Sequence, residues 1–168
     1  NQYPNEVSAF IGIDTSVPEQ IDQMMEIVKP SFALAKFLSK TGLIRISGKF
    51  NPEVFGFEGI DPETREQIHL LTLRNSMNKP ISNEADLMPE NFNYAKALHY
   101  PTQLPVLFFI VSEENTQLDN WRTLHEDRVK GLEHGEGIML DGGHYLHHTQ
   151  SPAIVKEMRR FLAEAKGE

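Results

Sequence analysis

Apolar and polar positions alternate in two rhythms along this chain. The stretch "VSAFIGI", residues 7–13, is a short apolar run with β-branched and aromatic members, closed by Asp14 and a Thr-Ser-Val-Pro segment. That pattern predicts a buried strand. From Pro18 to Lys40 the apolar residues Ile21, Met24, Met25 and Val28 keep helical spacing, Pro30 is expected to divide the segment into two helices, and Gly42 to end the second. "DPETREQIHLLTLRN", residues 61–75, reads as a helix with Asp61 as cap and Pro62 in the first turn, its apolar stripe marked by Ile68 and Leu71. "SNEADLMPENFNYAKALHY", residues 82–100, reads as a helical pair broken at Pro89.

The rhythm changes at Leu104. "LPVLFFIV", residues 104–111, is an almost unbroken apolar run of strand length, as expected of a strand buried on both faces of a parallel sheet. A helical segment follows over 116–133, then "GEGIMLDGG" as a short strand and loop, and "SPAIVKEMRRFLAEAKGE" as a closing helix with Ser151 as cap and Pro152 in its first turn. Strand, helix, strand, helix predicts βαβ units and an α/β fold with a parallel sheet flanked by helices. The block of roughly ninety residues between the first two strands is too long for a simple crossover and is expected to be a mostly helical cap at the carboxyl edge of the sheet. The division is therefore 1–14 core, 15–102 cap insertion and 103–168 core. Open α/β sheets place ligands at that edge. Asp14, Glu113, Glu114 and His144 fall there.

Composition narrows the chemistry. The 168 residues suffice for one domain with a real core, and the 39% hydrophobic content is ordinary for a globular protein. A net charge of −8, with the acids scattered, argues against a nucleic-acid partner, which would need a basic face. The chain has no cysteine, which removes disulfides, thiolate nucleophiles and thiolate metal sites while leaving the compartment open. It has no apolar run of the ~18 residues that a membrane span needs.

Candidate chemistry concentrates in "DGGHYLHHTQSP", residues 141–152, where His144, His147 and His148 follow two glycines. Three readings stand. The first is a catalytic base, which must present one ring nitrogen to a nucleophile and the other to an acid, as a tight glycine-preceded loop allows. The second is a zinc site using these imidazoles with His125 or Glu133, although the H-E-x-x-H spacing is lacking. The third is a polar loop. Elsewhere the plain readings come first: Leu107, Phe108, Phe109 and Ile110 as core, Trp121 as packing of its helix on the sheet, and Met24, Met25, Met77 and Met88 as packing or as an acyl-pocket lining in the cap. Arg74, Asn75 and Asn78 form a polar cluster that could meet a substrate carboxylate or amine.

The order "YPNEVSAFIGID", a helical insertion, "LPVLFFIVSEEN", a helix and "GGHYLHHTQSPAIVKEMRRFL" resembles the C-terminal half of an α/β-hydrolase, in the lipase, esterase and iminopeptidase-like branch of Gram-positive bacteria. The resemblance implies that residues 1–14 carry the sixth strand, that the run at 104–111 is the seventh, and that His144 is the catalytic base. The implied acid is Glu114, nearest the end of the seventh strand, with Glu113 one step away and Asp14, after the sixth strand, as the competitor. Asp14 also has a plain reading as a turn or helix cap.

No G-x-S-x-G elbow occurs, since Ser47 sits in "IRISGKF". The resemblance places the nucleophile about a dozen residues before Asn1 and the oxyanion hole further upstream, which makes this chain a fragment expected to be inactive alone. It implies a carboxylic ester or related acyl substrate, with an N-terminal proline peptide next, and no cofactor. The expected partner is the N-terminal half of the same protein, with self-association through an open sheet edge as a further expectation. The location is either cytoplasmic or at the outer face of a bacterial membrane through an N-terminal anchor. The competing class is a binding or structural module that keeps the scaffold without the chemistry.

Overall fold

The computed structural model describes residues 6–43 and 61–167, with backbone alone for residues 27–33; Ser47 lies outside the described residues. The chain is a mixed α/β protein whose three-stranded parallel sheet is flanked by helices. It divides into two units, Asn1–Gln23 with Phe92–Glu168, and Met24–Asn91.

The first unit holds the sheet, in the order β1 (Phe10–Ile13), β2 (Val106–Val111), β3 (Gly135–Leu140). Ile11 pairs with Leu107, and Phe109 with Ile138. All six residues of the central strand, "VLFFIV", are buried, because this strand has a neighbour on each edge and packed layers on its faces. Helix α4 (Trp121–Val129) packs on β2 and β3, and α6 (Ser151–Lys166) packs on β2. The core joins the strand side chains to Val17, Trp121, Val129, Leu146, Ile154 and Phe161.

Residues 15–23 and 92–102 fall in the sheet unit, whose limits lie inside α1 (Ile21–Lys40) and α3 (Lys79–Lys96). Packing explains it. Val17 and Ile21 are each 2% exposed, and the Tyr100 ring lies 5.3 Å from Phe10 and 6.3 Å from Phe108. Burial in this aromatic cluster raises the Tyr100 hydroxyl above its ordinary pKa, against the opposing effect of Arg128. Arg128 in turn reaches the Leu98 carbonyl at 2.6 Å and Glu19 at 3.2 Å, tying both flanking segments to α4. At the other side of the sheet Arg160 on α6 bonds both carboxylate oxygens of Glu136 on β3 and also Glu157 and Glu164.

The second unit is helical among the described residues. It contains α2 (Pro62–Asn75) and the greater parts of α1 (Ile21–Lys40) and α3 (Lys79–Lys96), both of which also extend into the first unit. Asp61 caps α2 by accepting from the Thr64 amide at 3.0 Å, which holds its carboxyl below the ordinary range. The two prolines expected to break helices do not. α1 continues through Pro30 and α3 through Pro89. Proline's fixed φ is itself helical, so its presence removes one hydrogen bond and crowds one carbonyl without obliging the chain to turn. No described helix is long and apolar enough to cross a membrane.

Gly12 pairs with Phe108 where β1 and β2 pack closely. A Cβ built there would stand 2.6 Å from the Phe108 ring and 2.6 Å from the Thr15 methyl. Gly12→Ala should therefore push Phe108 out of place and lower stability by about 2 kcal/mol, read as a shift of the urea midpoint; an unchanged midpoint would show that the strands can separate without cost.

Candidate functional site

The candidate site is built from three chain segments that leave the carboxyl ends of the parallel strands. After Ile13 the chain turns at Asp14, whose φ of +44° lies in the left-handed region that aspartate tolerates better than most side chains. The Asp14 amide still donates to the Phe109 carbonyl at 2.7 Å, the last rung of the β1–β2 ladder. In a parallel pair the next rung would run from Val111 N–H to the main-chain carbonyl of residue 14. Here the Asp14 side chain takes that bond instead, its Oδ1 accepting from Val111 N at 3.0 Å. The carboxylate is thus laid over the end of the central strand.

Two further donors complete its shell. Trp121 Nε1 donates to Oδ1 at 2.8 Å, and His144 Nδ1 lies 2.7 Å from Oδ2. A carboxylate only accepts, so Nδ1 carries the hydrogen and Nε2 is left as the basic nitrogen of the neutral ring. Asp14 is 3% exposed while the His144 side chain is 67% exposed. The pair is consequently sealed at its acid end and open at its imidazole end, and among the described residues no hydrogen bond reaches Nε2.

His144 is held there by its loop. Gly142 has a φ of +149°, and a Cβ at this position would crowd Leu146 and Thr149, each at 3.2 Å. Leu146, fully buried, opens the single helical turn α5 (Leu146–Thr149) and anchors the segment, while Gln150 Nε2 bonds the Asp141 carbonyl at 2.7 Å. The Tyr145 ring lies 5.2 Å from His144 and stacks on His148 at 5.5 Å, and His147 meets His148 edge-on at 4.3 Å. His147 and His148 are exposed on α5. Ser151 is not a cap, for its hydroxyl donates to the His147 carbonyl and Gln150 occupies the cap position.

The structure therefore brings His144 to Asp14 and not to Glu114. β2 ends at Val111, and Glu113–Asn115 form a short 3-10 turn that leaves Glu113 and Glu114 exposed to solvent. Of the expected acids, Asp14 is the one bonded to His144: the turn carries both glutamates outward, whereas the left-handed kink at Asp14 carries its carboxylate inward across β2. His125 lies away from the histidine loop, fully buried, with Nδ1 2.8 Å from the Trp121 carbonyl and Nε2 2.9 Å from the Thr15 carbonyl. Among the described residues no three His, Asp or Glu side chains converge as a metal-holding group. Arg74, Asn75 and Asn78 lie in the helical unit.

Sequence reading missed Trp121 as a donor to the acid. The usable signal was its spacing: Trp121 and His125 are one helical turn apart on α4, which starts beside the end of β2.

No family model matches the chain, and neither curated proteins nor solved structures provide a match.

The arrangement can orient an imidazole and stabilise its charge once protonated. Asp14→Asn tests this directly, because an amide facing His144 donates where the carboxylate accepted. The expected result, read by ¹⁵N NMR of the ring, is a switch to the tautomer with hydrogen on Nε2, with Glu114→Gln leaving the ring as in the wild type. Reversed responses would assign the acid to Glu114.

Proposed function

We propose that this chain is the base-and-acid half of a serine hydrolase of the α/β-hydrolase type, acting on carboxylic esters or related acyl substrates. The observation that carries the reading is the Asp14–His144 hydrogen bond, buried at the acid and open at Nε2. Two further features support it. The three parallel strands stand in sequence order, as the last three strands of such a sheet would, and β1 has its outer edge unpaired among the described residues, where the preceding strand would add. The base also sits on a glycine-led loop directly after the last strand.

In this reading a serine supplied by another part of the complete polypeptide attacks the carbonyl carbon. His144 Nε2 takes the hydroxyl proton as the carbon–oxygen bond forms, and Asp14 stabilises the resulting imidazolium. Collapse of the tetrahedral intermediate breaks the bond to the alcohol, which receives the proton from Nε2. Water then repeats the sequence on the acyl-serine, releasing the acid and restoring the enzyme. Proton transfer needs Nε2 accessible, and the exposure of His144 meets that need.

The experiment is intact-mass labelling of the complete polypeptide with a fluorophosphonate, together with ester hydrolysis kinetics. Wild type is expected to gain one adduct, His144→Ala to lose hydrolysis on the order of 10⁴-fold, Asp14→Asn to lose a comparable factor, and Glu114→Gln to retain activity. Folded wild type that neither labels nor hydrolyses would reject the hydrolase reading in favour of a binding module on the same scaffold.

A further inference from the structure

We infer that α4 is the positioning element of this site, acting through Trp121 on the carboxylate and through His125 on the turn that carries it. The inference rests on the reading of Asp14 and His144 as acid and base, and it assigns to Trp121 more than packing.

The geometry is specific. Of the two Asp14 oxygens, Oδ2 faces His144 and Oδ1 is shared by Val111 N and Trp121 Nε1. A carboxylate bound to Val111 and His144 alone retains freedom to swing about the line between those partners. The indole N–H, rigidly placed on a side chain that is 4% exposed, closes the third corner. An indole donates and never accepts, so this contact holds only the charged or acceptor face of Asp14 and cannot be satisfied by a rotated acid presenting its own hydrogen.

His125 fixes the same unit from behind. Its Nδ1 meets the main-chain carbonyl of Trp121 and its Nε2 meets that of Thr15, the residue following the strained Asp14. Both partners are carbonyl oxygens, so the ring donates to whichever of them its hydrogen faces. The His125 ring also lies edge-on to Trp121 at 4.4 Å and to Phe108 at 5.1 Å. Side chains one helical turn apart thereby grip the carboxylate and the peptide just beyond it. The left-handed conformation at Asp14 would otherwise relax toward an extended backbone.

The test separates hydrogen bonding from packing. In the complete polypeptide, Trp121 is replaced by β-(3-benzothienyl)alanine, which keeps the bicyclic shape without the N–H, and in parallel by Trp121→Phe. The readouts are exchange with water of the hydrogen on His144 Nδ1, followed by NMR, and the kcat and KM of ester hydrolysis. Wild type is expected to hold this hydrogen, and the analogue to speed its exchange about tenfold or more while circular dichroism stays unchanged. Where ester hydrolysis is present, kcat falls by a similar factor with KM unaltered. Should Trp121→Phe fail to fold, the isosteric analogue decides alone.

Wild-type exchange rates in the analogue overturn the inference, whether or not kcat falls, since a fall without faster exchange would reflect packing. A wild type lacking hydrogen on Nδ1 overturns it as well. Faster exchange in a protein that hydrolyses no ester sustains the positioning role and rejects the hydrolase reading.

Discussion

The buried carboxylate of Asp14 is the constraint around which the sheet unit is arranged. An acid that is 3% exposed is costly unless its oxygens are bonded, and here a main-chain amide, an indole and an imidazole all converge on it. Each donor comes from a different element: the end of β2, the start of α4 and the loop after β3. One carboxylate thus links the three segments that would have to stay in register for any chemistry at this edge. Removing it would leave two buried donors without partners, a penalty of about 1–3 kcal/mol each.

The rest of the unit makes that convergence possible. The continuous burial of Val106–Val111 fixes β2 at the centre, and the parallel register places the exits of β1 and β3 on either side of its carboxyl end. The left-handed turn at Asp14 then sends its side chain over β2, and the glycines before His144 let the opposite loop close toward it. Exposure rises sharply from acid to imidazole across a single hydrogen bond of 2.7 Å. That gradient suits a group that must be held firmly on one side and react on the other.

Much of this architecture was legible in the sequence. The apolar runs located the strands to within a few residues, and the Gly-Gly-His segment located the loop, because both depend on local pattern. Which carboxylate bonds His144 was not legible, since it turns on the direction of one side chain. Counting along the strand favoured Glu114, yet the direction at Asp14 is set by a backbone conformation that no hydrophobic pattern encodes. The reading of prolines as helix breakers failed at Pro30 and Pro89 because a local penalty was treated as a boundary. Val17 lies in the core and Tyr100 packs against it, contacts that no local sequence pattern reveals.

The central claim is that Asp14 orients His144 toward a serine nucleophile. The most direct measurement is a crystal structure of the complete polypeptide after reaction with a phosphonate ester. The account predicts a phosphonyl-serine whose Oγ lies about 3 Å from His144 Nε2, with Nδ1 still bonded to Asp14. An adduct remote from His144, or a His144 ring turned to Glu113 or Glu114, would contradict it.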